Sequence, residues 1–560
     1  MKKILLPTLA VAALSTSLAA QEEPLTKTVE VQRAYDPTLL DAYKISSVPR
    51  IDDTAKVNVK FSYLLRQVKP LSNTYHLNPL PPARVQRERY EPSDDVRTYL
   101  RMGLGTKLST LLDAYVGNEH SKEFLWDIYA NHYGSYGSVK NEAGEKVPTR
   151  DMRNEVGALA QYSFRRALLY GNAGFRQRLM RFYGYDTDTF KLSDYEALPD
   201  DKIKQYFNHA YANLEYRSTE LPDSTWEFGA LFNFYDYRSK SLQTEDALKF
   251  TLYATKELSP STTAGLTAKT DVYLRNERLA ANSNTVVSVE PYAKEQRGWW
   301  EGTAKLNFVF DNVSGSLKTY VYPSVSFTAF FVDNVFMPYV EMSGKHHANT
   351  YASITTENPY LNPDTLPDIR SSRNAISFIG GVKGKLGSLF SYKLGLEYAF
   401  INDMLFYLTS QASTSLGHYF DVKYDDAKRF TFSGDLHFQP TRAWDFEYTL
   451  RYDSYSMDKL AKPYNRPAVD MRLSGAYNLW NKLNFYASFN IYGSYTALDF
   501  TGKEVPRSSG IDLNFGASYS FFNSSSIFMH LNNLMSSRYH VYSSYPTYGF
   551  NAMAGYTYVF

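Results

Sequence analysis

The chain has 560 residues, no cysteine and a formal net charge of +2 at pH 7, which excludes disulfides and thiolate metal sites and gives no reason to expect nucleic acid as a partner. Aromatic residues make up 16%, including 48 Tyr and 35 Phe, while charged residues reach 21% and mean hydropathy is −0.40. That much tyrosine is rare in a soluble protein and that much polarity excludes a helical membrane bundle, but a transmembrane β-barrel satisfies both, because only alternate residues meet lipid.

Lys2 and Lys3 precede an apolar run from Ile4 to Leu14, and the small residues Ser17, Ala19 and Ala20 follow. This is the pattern of a cleaved export signal over residues 1–20, and the run is too short, and too interrupted by Pro7, to be a membrane-spanning helix. No cysteine follows it, so lipoprotein anchoring is excluded. Residues 21–96 differ in texture. They contain short β-like pieces at Thr28–Val31 and Val57–Tyr63, then the Pro81-Pro82 pair within a mixed Arg/Glu stretch, which reads as an extended linker. This segment is expected to be periplasmic or to fill a lumen enclosed by the residues after it.

From residue 97 to 560 the pattern is uniform. About 22 segments alternate apolar and polar residues, the first at 97–106 and the last at 547–560. In one of them Trp444, Phe446, Tyr448, Leu450 and Tyr452 share a face opposite Asp445, Glu447, Thr449, Arg451 and Asp453. In others Leu483, Phe485, Ala487, Phe489 and Ile491 oppose Asn484, Tyr486, Ser488, Asn490 and Tyr492. The apolar faces are expected to meet lipid and the polar ones a lumen. A soluble β-sandwich also alternates, but it does not need so many strands in one uninterrupted sheet.

The connections alternate as a bacterial barrel requires. Tight turns are expected near Arg165 and Arg166, at Leu258–Pro260, Asp333, Leu386–Ser388, Pro440–Arg442, Trp480–Lys482 and Asn523. The longest gaps, 135–151, 185–202, 348–373, 498–509 and 536–546, are expected at the opposite, outward end. The last strand places Tyr548, Phe550, Ala552, Ala554, Tyr556, Tyr558 and Phe560 on one face. In water that apolar edge is a liability. In a closed barrel it is the closing strand, and it resembles the C-terminal insertion signal of outer-membrane barrels in Tyr556, Tyr558 and Phe560.

The stretch NPYLNPDTLPD, with Asn358, Pro359, Leu361, Pro363 and Asp364, is followed by Gly434 and Asp435 within a long strand and by Asn533, Leu534 and Tyr539 before the closing strand. In order and spacing these elements resemble the C-terminal half of TonB-dependent receptor barrels, over roughly residues 355–560. The resemblance implies a 22-stranded outer-membrane barrel, in agreement with the count made from alternation alone. Receptors of that family carry a plug of more than a hundred residues. Only about 75 residues lie between the signal and the first strand here, so the expected fold is all-β, a transmembrane antiparallel barrel with a short N-terminal periplasmic segment and no full plug domain, similar to plug-poor relatives of Bacteroidota-like bacteria.

A barrel of 22 strands encloses a lumen too wide to stand open. The 21–96 segment, the long outer loops or a partner protein must therefore fill it. Arg176 and Arg178 share a face with Gly174; as lumenal cations they attract an anionic solute, dock acidic groups of a filling segment, or balance Asp and Glu across the strand, and the last is the commoner role. His346 and His347 are adjacent and have no second ligand pair in register, so no metal and no cofactor is expected there. His437 lies at period-2 spacing from Ser433 and Asp435, but no oxyanion donor or strained turn accompanies them, so an enzyme is not expected. The expected function is passage of a solute across the outer membrane, with a structural subunit of a multi-protein outer-membrane complex as the alternative. The expected partners are the lipid bilayer, the barrel assembly machinery during insertion, and protein partners in the periplasm or at the outer surface.

Overall fold

The structure, a computed structural model, describes residues 97–118, 123–185, 187, 190–218, 226–279, 283–332, 335–387, 389–410, 419–480, 482–522 and 524–559. The expected export signal, the 21–96 segment, the turn positions Asp333, Ser388 and Asn523, and Phe560 lie outside the described residues.

Alternation at period 2 is realised as one antiparallel sheet of 22 strands. The first half comprises β1 Arg97–Gly105, β2 Ser109–Asn118, β3 Phe124–Ser135, β4 Asp151–Ser163, β5 Ala167–Arg181, β6 Lys204–Ser218, β7 Trp226–Ser239, β8 Thr244–Ser259, β9 Thr262–Arg275, β10 Asn284–Arg297 and β11 Trp300–Val313. The second half comprises β12 Ser316–Ala329, β13 Met337–His347, β14 Ser372–Leu386, β15 Phe390–Thr409, β16 Phe420–Thr441, β17 Trp444–Met457, β18 Val469–Leu479, β19 Leu483–Tyr492, β20 Gly510–Phe522, β21 Ser525–Asn532 and β22 Asn551–Val559. Each strand pairs with its neighbours in sequence, and β1 pairs with β22 from Tyr99↔Val559 to Gly105↔Met553. The sheet therefore closes and has no free edge. No helix among the described residues is long and apolar enough to cross a membrane; the strands do the spanning.

The two faces separate as the alternation requires. On β8, Leu248, Phe250 and Leu252 are exposed on the outside while Ala247 is fully buried. Trp444 and Tyr452 are exposed on the outside of β17, whereas Asp453 is buried within. Ser488, Asn490, Asp512 and Asn514 are likewise buried on the inner wall. The exposed apolar side chains run right round the barrel, far beyond the patches that water tolerates, and hydrocarbon is the solvent that suits them.

The chain enters β1 and leaves β22 at the same end, since Tyr99 lies beside Val559. That end carries tight turns, including 164–166, 260–261 and 442–443. The other end carries the long connections 136–150, 182–203, 348–371, 493–509 and 533–550. Two expected strands are shorter than their patterns. Tyr548 and Phe550 continue the alternation of β22 but belong to the preceding connection, because Asn533 Nδ2 binds the Tyr548 carbonyl at 2.8 Å and pairing with β21 begins only at Asn532↔Asn551. β19 stops at Tyr492, and Tyr495–Leu498 instead makes a separate ribbon with Glu504–Arg507. Two turns also fall slightly later than expected, at 260–261 and 442–443, because the preceding strands run on to Ser259 and Thr441.

Candidate functional site

The long connections do not project away from the barrel; they fold over its mouth around an aromatic core. Tyr360 and Tyr545 stack with ring centroids 3.6 Å apart. Tyr183 packs edge-on against both, at 6.0 Å and 5.0 Å. Phe182 meets Tyr419 at 5.0 Å and Tyr542 meets Phe420 at 5.5 Å, both with inclined rings. Tilted and edge-to-face pairs of this kind add to the free energy of burying each ring, by about 0.5–1.5 kcal/mol per pair. The same core takes in Val139 and Val147 from 136–150 and the wall residues Tyr237 and Tyr407. Connections far apart in sequence thus share one apolar interior, which forms a cap on the long-loop end.

The connection 348–371 is the centre of that cap. Its helix, Tyr351–Glu357, lies against the inner wall, with the Thr355 hydroxyl 2.7 Å from that of Tyr237. Tyr407 OH donates to Glu357 Oε2 at 3.0 Å, and Tyr542 OH donates to the Glu357 carbonyl at 2.8 Å. The start of the helix is held by Glu245 of β8. The Glu245 carboxylate accepts from Tyr351 N at 2.9 Å and Ala352 N at 3.2 Å, from Tyr235 OH at 2.9 Å and from Arg275 Nε at 2.7 Å. A buried carboxylate is tolerable only when paired and fully hydrogen-bonded, and Glu245 is both.

The motif residues fall inside this cap. Asn358 is fully buried and its Oδ1 accepts from Tyr360 N at 3.1 Å. Pro359 and Leu361 are buried with it, and Leu361 forms a bridge to Phe420 at the start of β16. The Pro363 carbonyl accepts from Gln243 Nε2 at 3.3 Å, while Asp364 is exposed. Asn533 pins the last connection through Ser537 and Tyr548, Leu534 is exposed, and Tyr539 stacks on Tyr492 at 5.3 Å. Gly434 and Asp435 stand apart from them, in the middle of β16.

Of the closing residues, Tyr556 and Tyr558 stack at 6.4 Å, and Tyr556 OH is 2.9 Å from Ser525 Oγ. Arg176 pairs with Glu155 at 2.8 Å, and Arg178 with Asp151 at 3.3 Å. Both arginines thus face carboxylates on the neighbouring strand. His437 faces Asp445 at 3.0 Å, and His346 lies beside Asp311 at 3.3 Å.

Glu245, Arg275 and the cap core were not singled out from the sequence. Tyr185, Tyr195, Tyr360, Tyr542 and Tyr545 sit in connections between expected strands, where no interfacial girdle accounts for them. That placement is the signal for an aromatic core made by loops. Burial, with the Glu145 carboxylate beside it, pushes the Tyr185 hydroxyl up to about 12. His540 is lowered to about 4, first by burial and then by the Arg507 guanidinium. Arg507 already pairs with Glu142 at 2.6 Å, so these three residues tie 136–150, 493–509 and 533–550 together.

No protein-family model matches the chain, and no curated protein is similar to it in sequence. Solved structures do match. The FrpB iron transporter of Neisseria meningitidis is 12% identical with a TM-score of 0.64, covering 84% of this chain and 83% of that one. The fold is the barrel fold of outer-membrane iron-transporter and siderophore-receptor structures. The siderophore receptor PirA of Acinetobacter baumannii matches at 12% identity and TM-score 0.63, covering 84% and 81%. The ferric enterobactin receptor PfeA of Pseudomonas aeruginosa matches at 10% and 0.62, covering 84% and 82%. At these identities the likeness concerns the receptor-type barrel.

Proposed function

We propose that the protein is an integral outer-membrane barrel through which a solute passes, closed at rest by its own outer connections. The observation that carries this reading is the aromatic cap, latched to the wall through Glu245. A lumen bounded by 22 strands is wide, and the cap supplies at the outer end the closure that such a lumen needs. The structural neighbours, an iron transporter and siderophore receptors, support passage of a solute. On this reading residues 1–20 direct export and are removed, the barrel assembly machinery inserts residues 97–560, and residues 21–96 serve as a periplasmic or lumen-filling segment. The cap then has the main sealing role.

The alternative, a structural subunit of a larger outer-membrane complex, is supported by a different feature. The outer wall of β12 to β16 carries an apolar groove of about 620 Å³ lined by residues including Val325, Val340, Phe378 and Leu396 and indented at Gly380, a shape able to receive an apolar partner within the membrane. Liposome swelling with graded solutes, run on the wild type and on Glu245→Gln, tests passage. Faster swelling with the variant supports it, and equal impermeability of both removes its basis. Stoichiometric companions after mild detergent extraction support the alternative.

A further inference from the structure

The ladder between β12 and β13 runs only from Ser324↔Ser343 to Thr328↔Tyr339, although β12 continues toward the long-loop end as far as Ser316. Two residues end it. Pro323 has no N–H to donate, and at Gly344 the register between β13 and β14 slips. Beyond that slip the His346 ring lies 5.8 Å from that of Tyr320 and 6.4 Å from that of Tyr322. Tyr322 is buried on the inner face, behind the exposed Val321, and Tyr320 stacks with it. The upper part of β13 therefore turns inward, and β12 keeps a free edge from Ser316 to Pro323.

The hairpin joining β11 to β12 fixes which backbone groups point into the gap. Its two-residue turn, Ser314 and Gly315, has positive φ at both positions, 49° and 89°, so the closing pair Val313↔Ser316 is a hydrogen-bonded one. Alternation then commits Ser316, Lys318, Tyr320 and Tyr322 to β11. The N–H and C=O groups of Leu317, Thr319 and Val321, with the Pro323 carbonyl, point the other way, where no strand of the described residues pairs with them. In a wall that stands in lipid such groups need partners, and an open strand edge is a template for another strand.

We infer that the free edge of β12 receives an extended segment of a partner protein, added to the wall as a further strand. Main-chain hydrogen bonds to Leu317, Thr319 and Val321 hold it. Leu317 and Val321 are exposed on the outer face, so the segment carries apolar residues on that side. Lys318 is exposed on the opposite face and makes no ion pair among the described residues, so an acidic residue of the segment belongs beside it. The apolar groove on β12 to β16 continues the surface, because its residues Val325 and Met342 form the pair next to Ser324↔Ser343. A lipid chain fills such a groove but leaves the edge unanswered, since hydrocarbon neither donates nor accepts a hydrogen bond. The inference rests on the barrel standing in a membrane and not on passage of a solute.

The chain has no cysteine, so single cysteines at the edge are clean reporters. Leu317→Cys, Thr319→Cys and Val321→Cys, in the full-length protein on intact native cells, are labelled with a photoreactive maleimide, and the cross-linked peptides are sequenced. The three positions are expected to reach one segment of one protein, advancing by about two residues per step. Leu248→Cys, on β8 with ladders on both sides, is expected to give no such link. Thr319→Pro removes one edge N–H and leaves the β11 ladder intact. It is expected to cut the links from Leu317→Cys and Val321→Cys by about tenfold or more, with heat-modifiable gel migration kept. No links, links to lipid alone, to β12 of a second copy, or to segments without that order overturn the inference, as does an unchanged yield in folded Thr319→Pro. The ordered map decides by itself where Thr319→Pro does not fold.

Discussion

Glu245 and Arg275 face each other across β8 and β9, register partners whose side chains are 0% and 1% exposed. Their pairing inside the wall gives the cap its anchor, because the same carboxylate holds the first turn of the helix Tyr351–Glu357. Removing one partner of such a pair costs about 3–5 kcal/mol, since the other charge stays buried without its counter-ion. Glu245→Gln is therefore expected to free the 348–371 connection while the barrel stays folded. Limited proteolysis on intact cells checks this, with new cleavage within 348–371 and unchanged heat-modifiable migration as the outcome.

The aromatic core and that ion pair hold the cap together, and both are needed. Tyr360 and Tyr545 sit at its centre, each at most 1% exposed, and deletion of a large buried ring costs about 3–5 kcal/mol. Tyr545→Ala is expected to loosen 533–550 and 348–371 together, because their rings are stacked on each other. Hydrogen exchange followed by mass spectrometry reads this as joint loss of protection in the two connections, with the strands unchanged.

Cap stability is expected to depend on pH through His540. Its imidazole faces Glu142 at 3.5 Å and the Arg507 guanidinium that already neutralises Glu142, and burial holds it neutral down to about 4. In an opened loop it protonates near the usual value of about 6.5. Between those values the open state binds the extra proton, so the cap loses stability as the pH falls from about 6.5 toward 4, by at most on the order of 3 kcal/mol. Exchange rates in 533–550, compared at both pH values for the wild type and His540→Gln, check the sign. The variant is expected to be insensitive across this window.

Barrel closure depends on the absence of a side chain at one place. Gly103 of β1 and Gly555 of β22 are register partners, and a Cβ at Gly555 runs into the Met102 carbonyl and the Phe528 ring. Gly555→Val is expected to prevent β1 from zipping to β22. Loss of the heat-modifiable, fast-migrating band on gels is the readout, and Ala554→Val on the open outer face is the control that keeps it.

The strands were legible because their cause is local: each side of the wall has its own solvent, and that writes period 2 directly into residues such as Trp444 to Asp453. Tyr548 shows where this fails, since its alternation continues the closing strand while a distant amide, Asn533, takes its carbonyl. The motif around Asn358 was visible as a motif, yet its place inside the cap was not, because its partners Phe420 and Gln243 are brought to it only by closure of the barrel. Glu245 and Arg275 carried no sign of their role. On an inner wall rich in charges, nothing local separates a carboxylate that holds a loop from one that faces water.

The central claim is that the outer connections themselves close the lumen. Single-channel conductance of the full-length protein in planar bilayers, compared with a version in which 349–370 is replaced by a short Gly-Ser linker, tests it most directly. A silent wild type and a steady, wide-pore current from the shortened protein are expected. A wild type that conducts as an open pore, or a shortened protein as silent as the wild type, would contradict it.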